Sequence, residues 1–363
     1  LTEKIRSGHP YFMYESIFAQ PESVRKAMVA NQVPAEKIAQ TLAQKKRVFL
    51  AGIGTSSHAA LAGEYFFRML CGEKLDAQFI QSFEFVHYPP KIDAETAIVL
   101  VTHRGWKTFS EQATKMVKAK GTFSVSVTGK NPQREVVLSE NVLYTSEQET
   151  SSAHTVSYVT ALAVLLQLAQ STARTLGTVK KDFDVLTGLP ELLKSALSLE
   201  PQMEALAEKL KNRHHFFFLG CGPNVATAHE GTLKMQETTF TASLGYEIEQ
   251  FLHGPFASAG PETVVFLIAP PGPGQKRFAD TLKALKEISA ESILLTENNG
   301  FSSDLPVGQT YYLPKMPELV TPLIYVIPLQ FFSYYMSLKL GHQVDLNHRD
   351  DPRYKKASEA FNL

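Results

Sequence analysis

Short, continuous apolar runs recur along the chain, each closed by turn-forming residues and followed by a longer stretch with helical spacing. Arg47-Val48-Phe49-Leu50-Ala51, Ala77–Gln81, Thr96–Thr102, Thr122–Thr128 and Asn141–Tyr144 read as strands. Strands alternating with helices predict a parallel sheet covered on both faces. A long apolar helix is expected from about Thr155 to Leu176, and an opening helix from about His9 to Gln32 with a break at Pro21.

The second half repeats the first. Arg47 and His214 begin matching strand-turn-helix units, and Thr96 and Thr263 begin matching apolar strands 167 positions apart (263 − 96). Leu143 pairs with Tyr311, and the closing helix Ser157–Gln170 with Ile324–Ser337. An offset held that evenly predicts duplication of one α/β domain, giving two tandem doubly wound, flavodoxin-like three-layer domains. The expected layout is a helical segment at 1–32, a first domain at 33–185, a second at 186–340 and a charged C-terminal tail at 341–363.

The densest chemistry lies between His214 and Pro255. A buried strand, His214–Leu219, passes through Gly220-Cys221-Gly222-Pro223-Asn224 into a helix on which Glu230, Lys234 and Glu237 share one face. By itself that face reads as a solvated ion-pair stripe. However, the helix starts at the carboxyl end of a strand, where open α/β sheets place their ligands. Sixteen residues after Glu237 stands His253-Gly254-Pro255 (253 − 237), a titratable ring on a rigid turn.

The pattern Glu230-Gly231-x-Leu233-Lys234-x-x-Glu237 with His253-Gly254-Pro255 at that distance resembles the isomerase half of glucosamine-6-phosphate synthase and its sugar-isomerase (SIS) domain relatives. His9…Met13-Tyr14-Glu15-Ser16-Ile17…Gln20-Pro21-Glu22 resembles the segment that opens that half. In the synthase a glutaminase domain with an N-terminal Cys nucleophile precedes this segment, and a chain without that domain is expected here. The resemblance implies that Glu237 is the base moving a proton between sugar carbons, a task suited to a partly shielded carboxylate. It implies that His253 assists ring opening from a neighbouring subunit, hence a homodimer. Lys234 and Glu230 match a charged pair beside the sugar carbons, where a cation can steady a developing enediolate oxygen.

Anion binding is expected in the first half. Gly52-Ile53-Gly54-Thr55-Ser56-Ser57 puts flexible backbone and hydroxyls at a helix N-terminus, where unpaired N–H groups favour an anion. A dinucleotide fold also uses such a turn, but neither half shows a ribose-binding acid. The resemblance makes Gly54, Thr55 and Ser56 phosphate ligands. A second anion loop departs from the family's Ser-Gln-Ser-Gly-x-Thr and reads Thr102-His103-Arg104-Gly105-Trp106-Lys107. Arg104 and Lys107 either bind phosphate, as fork and point charge, or fill the pocket, or select a carboxylate or a sugar of different size. Where the synthase has Gly-Val-Ala-Ser-Thr-Lys, this chain has Ser151-Ser152-Ala153-His154-Thr155-Val156. Ser152 is a candidate sugar contact, and His154 is either a helix-start histidine bonded to backbone or a sugar-hydroxyl ligand. The synthase's imine-forming lysine near its end has no counterpart in register. Lys356 stands nearer than Lys355, and a plain charged tail is the alternative.

Composition narrows the partners. Lys plus Arg equals Asp plus Glu at 36 each, so no global field favours nucleic acid or an acidic membrane. Cys71 and Cys221 are too few for a disulfide framework, lack metal-ligand spacing, and read as buried thiols of a reducing compartment. No leader pattern and no run of roughly 18 apolar residues is seen, so a cytoplasmic chain without a membrane span is expected. The expected ligand is a sugar phosphate, with no cofactor and no metal. The function so read is aldose–ketose isomerisation of an amino-sugar phosphate with loss of ammonia. The alternatives are a plain phosphosugar isomerase and a sensor that binds without turnover.

Overall fold

The structure, a computed structural model, describes residues 5–298, 300–302 and 304–361. The ends of the opening segment and of the tail therefore lie outside the described residues. The first half comprises α1 (Phe12–Leu42), β1 (Arg47–Gly52), α2 (Thr55–Cys71), β2 (Asp76–Gln81), α3 (Ser82–His87), β3 (Thr96–Thr102), α4 (Thr108–Ala119), β4 (Ser124–Lys130), β5 (Asn141–Glu147) and α5 (Val156–Leu176). The second comprises α6 (Leu189–Leu197), α7 (Glu200–Leu210), β6 (His215–Gly220), α8 (Asn224–Thr239), β7 (Ser243–Glu247), α9 (Ile248–Leu252), β8 (Thr263–Ile268), α10 (Gln275–Glu287), β9 (Glu291–Glu297), β10 (Gln309–Leu313), α11 (Thr321–Lys339) and α12 (Pro352–Ser358).

These elements form two compact units. The first unit holds 19–149, 154–190 and the described residues from 356 on; the second holds the described residues up to 18, together with 150–153 and 191–355. The first unit's sheet is wholly parallel in the order β2-β1-β3-β4-β5, and the second's, β10-β9-β8-β6-β7, is the same order repeated. The predicted doubly wound α/β fold is present twice. β3 and β8 are buried along their whole length, as strands covered by helices on both faces must be.

In each unit the winding reverses between two neighbouring strands, β1 and β3 in the first, β6 and β8 in the second. Loops leaving the carboxyl ends of such a pair diverge and open a crevice. In the first unit those loops are Gly52–Ser57 and Thr102–Lys107.

The expected break at Pro21 does not occur, because α1 runs through both Pro21 and Pro34. Met13, Ile17, Val24, Ala27, Ile38 and Leu42 recur at helical spacing and are buried. Burial of that stripe outweighs the ~3 kcal/mol that an internal proline costs. Its N-terminus is capped from far along the chain, where the Asp345 carboxylate accepts the N–H groups of Phe12 and Met13 at 2.9 and 3.0 Å.

Two stretches, Val156–Leu176 and Glu318–Lys339, are long and apolar enough to cross a membrane, although polar residues interrupt any continuous apolar run. An 18-residue window of the first is 100% buried within the protein, and one of the second 94%.

Candidate active site

The turn after β1 is shaped by two glycines. A Cβ on Gly52 would meet the Ser56 carbonyl oxygen at 2.3 Å, and Gly54 takes a left-handed φ of 58°. Ser57 donates its N–H and its hydroxyl to the Gly54 carbonyl, at 2.8 and 2.7 Å, so that hydroxyl serves the turn. Thr55 and Ser56 face the crevice.

The loop after β3 is closed by Thr102, whose Oγ1 accepts the Gly105 N–H at 3.2 Å. Gly105 has φ 79°. His103 is pinned from several sides. Its carbonyl accepts the Gly129 N–H at 3.0 Å and Gln148 Nε2 at 3.1 Å, and its Nε2 accepts the Glu149 N–H at 3.1 Å. The neutral ring therefore carries its proton on Nδ1. Burial, helped by the charge on Arg104, pushes its pKa down to about 3. Arg104 Nη2 reaches the Glu149 carbonyl at 3.4 Å and His154 Nε2 at 3.5 Å. A guanidinium only donates, so His154 accepts there. Lys107, half-buried, ends the loop as the residue before α4.

Thr55, Ser56, His103, Thr145, His154 and Ser157 line one pocket. The two imidazoles meet edge to face with centroids 4.9 Å apart, and the remaining void is about 10 Å³. That is room for one water. A larger ligand here needs side chains to turn aside.

The organising residue behind this pocket is Glu149, which the sequence reading did not single out. Its buried carboxylate accepts the Thr155 N–H at 2.9 Å, the Ser157 N–H at 2.8 Å and the Ser157 hydroxyl. It thus fills the N-terminus of α5, where the helix dipole favours a negative charge. The available signal was an acid, the second of the neighbouring pair Glu147 and Glu149, a few residues upstream of a long apolar helix. Ser152 is placed elsewhere. It belongs to the second unit, where its N–H donates to the Asp345 carbonyl at 2.9 Å and its hydroxyl accepts from Arg349 at 2.7 Å.

In the second unit the charged face of α8 is not a solvated stripe. Glu230 and Lys234 are 0% exposed, and Glu237 is 16% exposed. Lys234 Nζ lies 3.3 Å from Glu230 and 2.5 Å from Glu237. Gly231 permits this burial, since a Cβ there would meet Leu329 on α11 at 2.8 Å and Phe218 on β6 at 3.1 Å. The Lys234 ammonium lies between the two carboxylates, and Glu237 is the member of the three that reaches solvent.

His253 ends α9 and is 71% exposed, with Nε2 3.0 Å from Glu249. Lys355 and Lys356 lie exposed on α12. Of the two thiols, Cys71 is buried as expected, but Cys221 is only half-buried, at the turn between β6 and α8. Burial raises both, Cys71 to about 12 and Cys221 to about 11, the latter also through Glu318 and Glu247. Neither is a thiolate nucleophile at neutral pH.

Comparison with known proteins places this geometry. Residues 41–171 and 209–340 each match the SIS domain family. Glutamine–fructose-6-phosphate aminotransferase (isomerizing) from Thermococcus kodakarensis is 30% identical over 348 residues, covering 94% of this chain and 57% of the relative. The enzyme of the same name from Pyrococcus horikoshii is 29% identical over 346 residues, with 94% and 57% covered. This chain thus spans a little over half the length of the curated relatives it matches. Among solved structures, the C-terminal domain of glucosamine-fructose-6-phosphate aminotransferase from Francisella tularensis superposes with a TM-score of 0.86 at 20% identity, covering 93% of this chain and 99% of that one. Tagatose-6-phosphate ketose/aldose isomerase from Escherichia coli gives 0.79 at 17% identity, with 96% and 98% covered. With both halves matched, and with the charged helix and the paired crevice loops in the same tandem fold, the chain belongs to the SIS domain family.

Proposed function

We propose that the protein is a phosphosugar isomerase acting on an amino-sugar phosphate of the glucosamine 6-phosphate and fructose 6-phosphate type, with release of ammonia. The observation that carries this reading is the state of Glu237. It is the one solvent-reaching carboxylate of an otherwise buried acid–base face, at the position of the base in the family it resembles. A proton moved from C2 to C1 by one carboxylate needs that carboxylate both ionised and reachable. Lys234, fixed beside it, would steady the enediolate oxygen. The first unit's crevice, with Thr55, Ser56 and the Thr102–Lys107 loop, is by itself suited to a phosphate. In the deaminating direction the balance is amino-sugar phosphate plus water giving ketose phosphate plus ammonia. We further propose a cytoplasmic homodimer in which His253, exposed on its own chain, serves the partner's site.

One observation favours a second reading, a plain aldose–ketose isomerase. Both tail lysines are exposed on α12, and neither falls in sequence register with the synthase's imine-forming lysine. Incubation with glucosamine 6-phosphate and with fructose 6-phosphate in deuterated water separates the readings. Ammonia release supports the deaminase, and carbon-bound deuterium in fructose 6-phosphate without ammonia from the amino sugar supports the plain isomerase. Thermal stabilisation by either sugar with no turnover makes the protein a sensor and overturns both.

A further inference from the structure

A third cation stands beside the first unit's anion loop. At left-handed Gly105 a Cβ would meet Val136 Cγ1 at 2.9 Å, so the chain around Val136 packs directly on the loop. This brings Arg134 to Trp106, the protein's single tryptophan, with its guanidinium carbon 5.7 Å from the ring centroid. Arg104 lies 5.8 Å from the same centroid and reaches His154, which lines the pocket with Thr55 and Ser56.

Elsewhere the protein pairs its arginines. Arg25 bonds Glu22, Arg47 bonds Asp93, Arg174 bonds the Phe183 carbonyl and Arg277 bonds Glu249. Among the described residues Arg134 has neither a hydrogen bond nor an ion pair. Two guanidinium groups against one indole repel each other, and an exposed cation–π contact is worth only about 0.5–1 kcal/mol. An anion lying against both removes the repulsion and supplies charge-assisted bonds to planar donors suited to phosphate or carboxylate.

We propose that Trp106 and Arg134 form a second anionic subsite continuous with the loop, so that a sugar phosphate carrying a further anionic group is held more tightly than one carrying a single phosphate. Arg104 is the shared element, its guanidinium joining the pocket side to the indole side. Arg134 sets specificity by reading the second group, and Trp106 positions it. This rests on the reading of the first unit's pocket as a phosphate site.

Calorimetry with fructose 6-phosphate and fructose 1,6-bisphosphate, the latter as a binding probe with two anionic groups, tests it. Wild-type protein should bind the bisphosphate about tenfold more tightly than the monophosphate at low salt. Arg134→Gln should abolish that preference and Trp106→Leu should reduce it, whereas Trp106→Phe, which keeps a ring, should restore most of it. No preference in wild type, or a preference untouched by Arg134→Gln, overturns the subsite while monophosphate binding leaves the phosphate pocket standing. Absence of binding by either probe overturns both.

Discussion

Lys234 and Glu237 are joined by a contact of 2.5 Å in which the lysine is completely buried and the carboxylate is not. The same ammonium lies 3.3 Å from the equally buried Glu230. One side of the pair is therefore held by the interior and the other is offered to a ligand. A proton-transferring carboxylate needs this division, because its position must be fixed while one oxygen stays reachable.

Glu237→Gln keeps the shape and a hydrogen-bonding side chain but removes the base. Turnover of the sugar phosphate should fall about 100- to 10,000-fold, with ligand affinity nearly unchanged. Steady-state kinetics beside a thermal-shift titration check this, and a variant within a few-fold of wild type would take the base role from Glu237.

Lys234→Met should cost about 3–5 kcal/mol of stability, because it removes the ammonium held 3.3 Å from the buried Glu230 carboxylate. Adding Glu230→Gln to that variant should recover a large part of the loss, since that carboxylate's charge is then gone. Denaturant unfolding of both singles and the double gives the coupling energy. Simple additivity would mean that the pair is not coupled.

The His103 imidazole has its pKa lowered from 6.5 to about 3. The unfolded chain therefore binds a proton that the folded chain refuses between those values, so this residue's contribution to stability is complete above pH 6.5. It is lost progressively as pH falls from 6.5 toward 3. His103→Asn, which has no titrating ring, should flatten the melting-temperature profile across that window. An unchanged acid slope would show that His103 is not one of the groups that take up protons on acid unfolding.

Mixing Glu237→Gln with His253→Ala subunits tests the proposed homodimer. If His253 serves the partner's site, a mixed dimer contains one site with both residues intact, and part of the activity should return. Verified subunit exchange with no recovery would place both residues in a site built from one chain.

Much of the fold was legible in local pattern. Parallel strands buried on both faces must be apolar along their whole length, so Thr96–Thr102 and Thr263–Ile268 announce themselves, and the even offset between them exposes the duplication. The Glu230, Lys234 and Glu237 face was legible for the same reason, because helical spacing alone sets which side chains are neighbours. Whether that face is wet or dry was not. The packing of α8 at Gly231 against Leu329 and Phe218, nearly a hundred residues away in the first case, decided it. Tertiary contact likewise carried α1 through Pro21, where local rules predict a break. Around the anion loop, His103 precedes Glu149 and His154 by 46 and 51 residues (149 − 103 and 154 − 103) and meets them only because β3 and β5 end, and α5 begins, at the same end of the sheet. Spacing along the chain reports neighbours within one element, whereas pairings such as His103 with Glu149, or Arg134 with Trp106, depend on where separate elements end in space. Only the folded chain determines that.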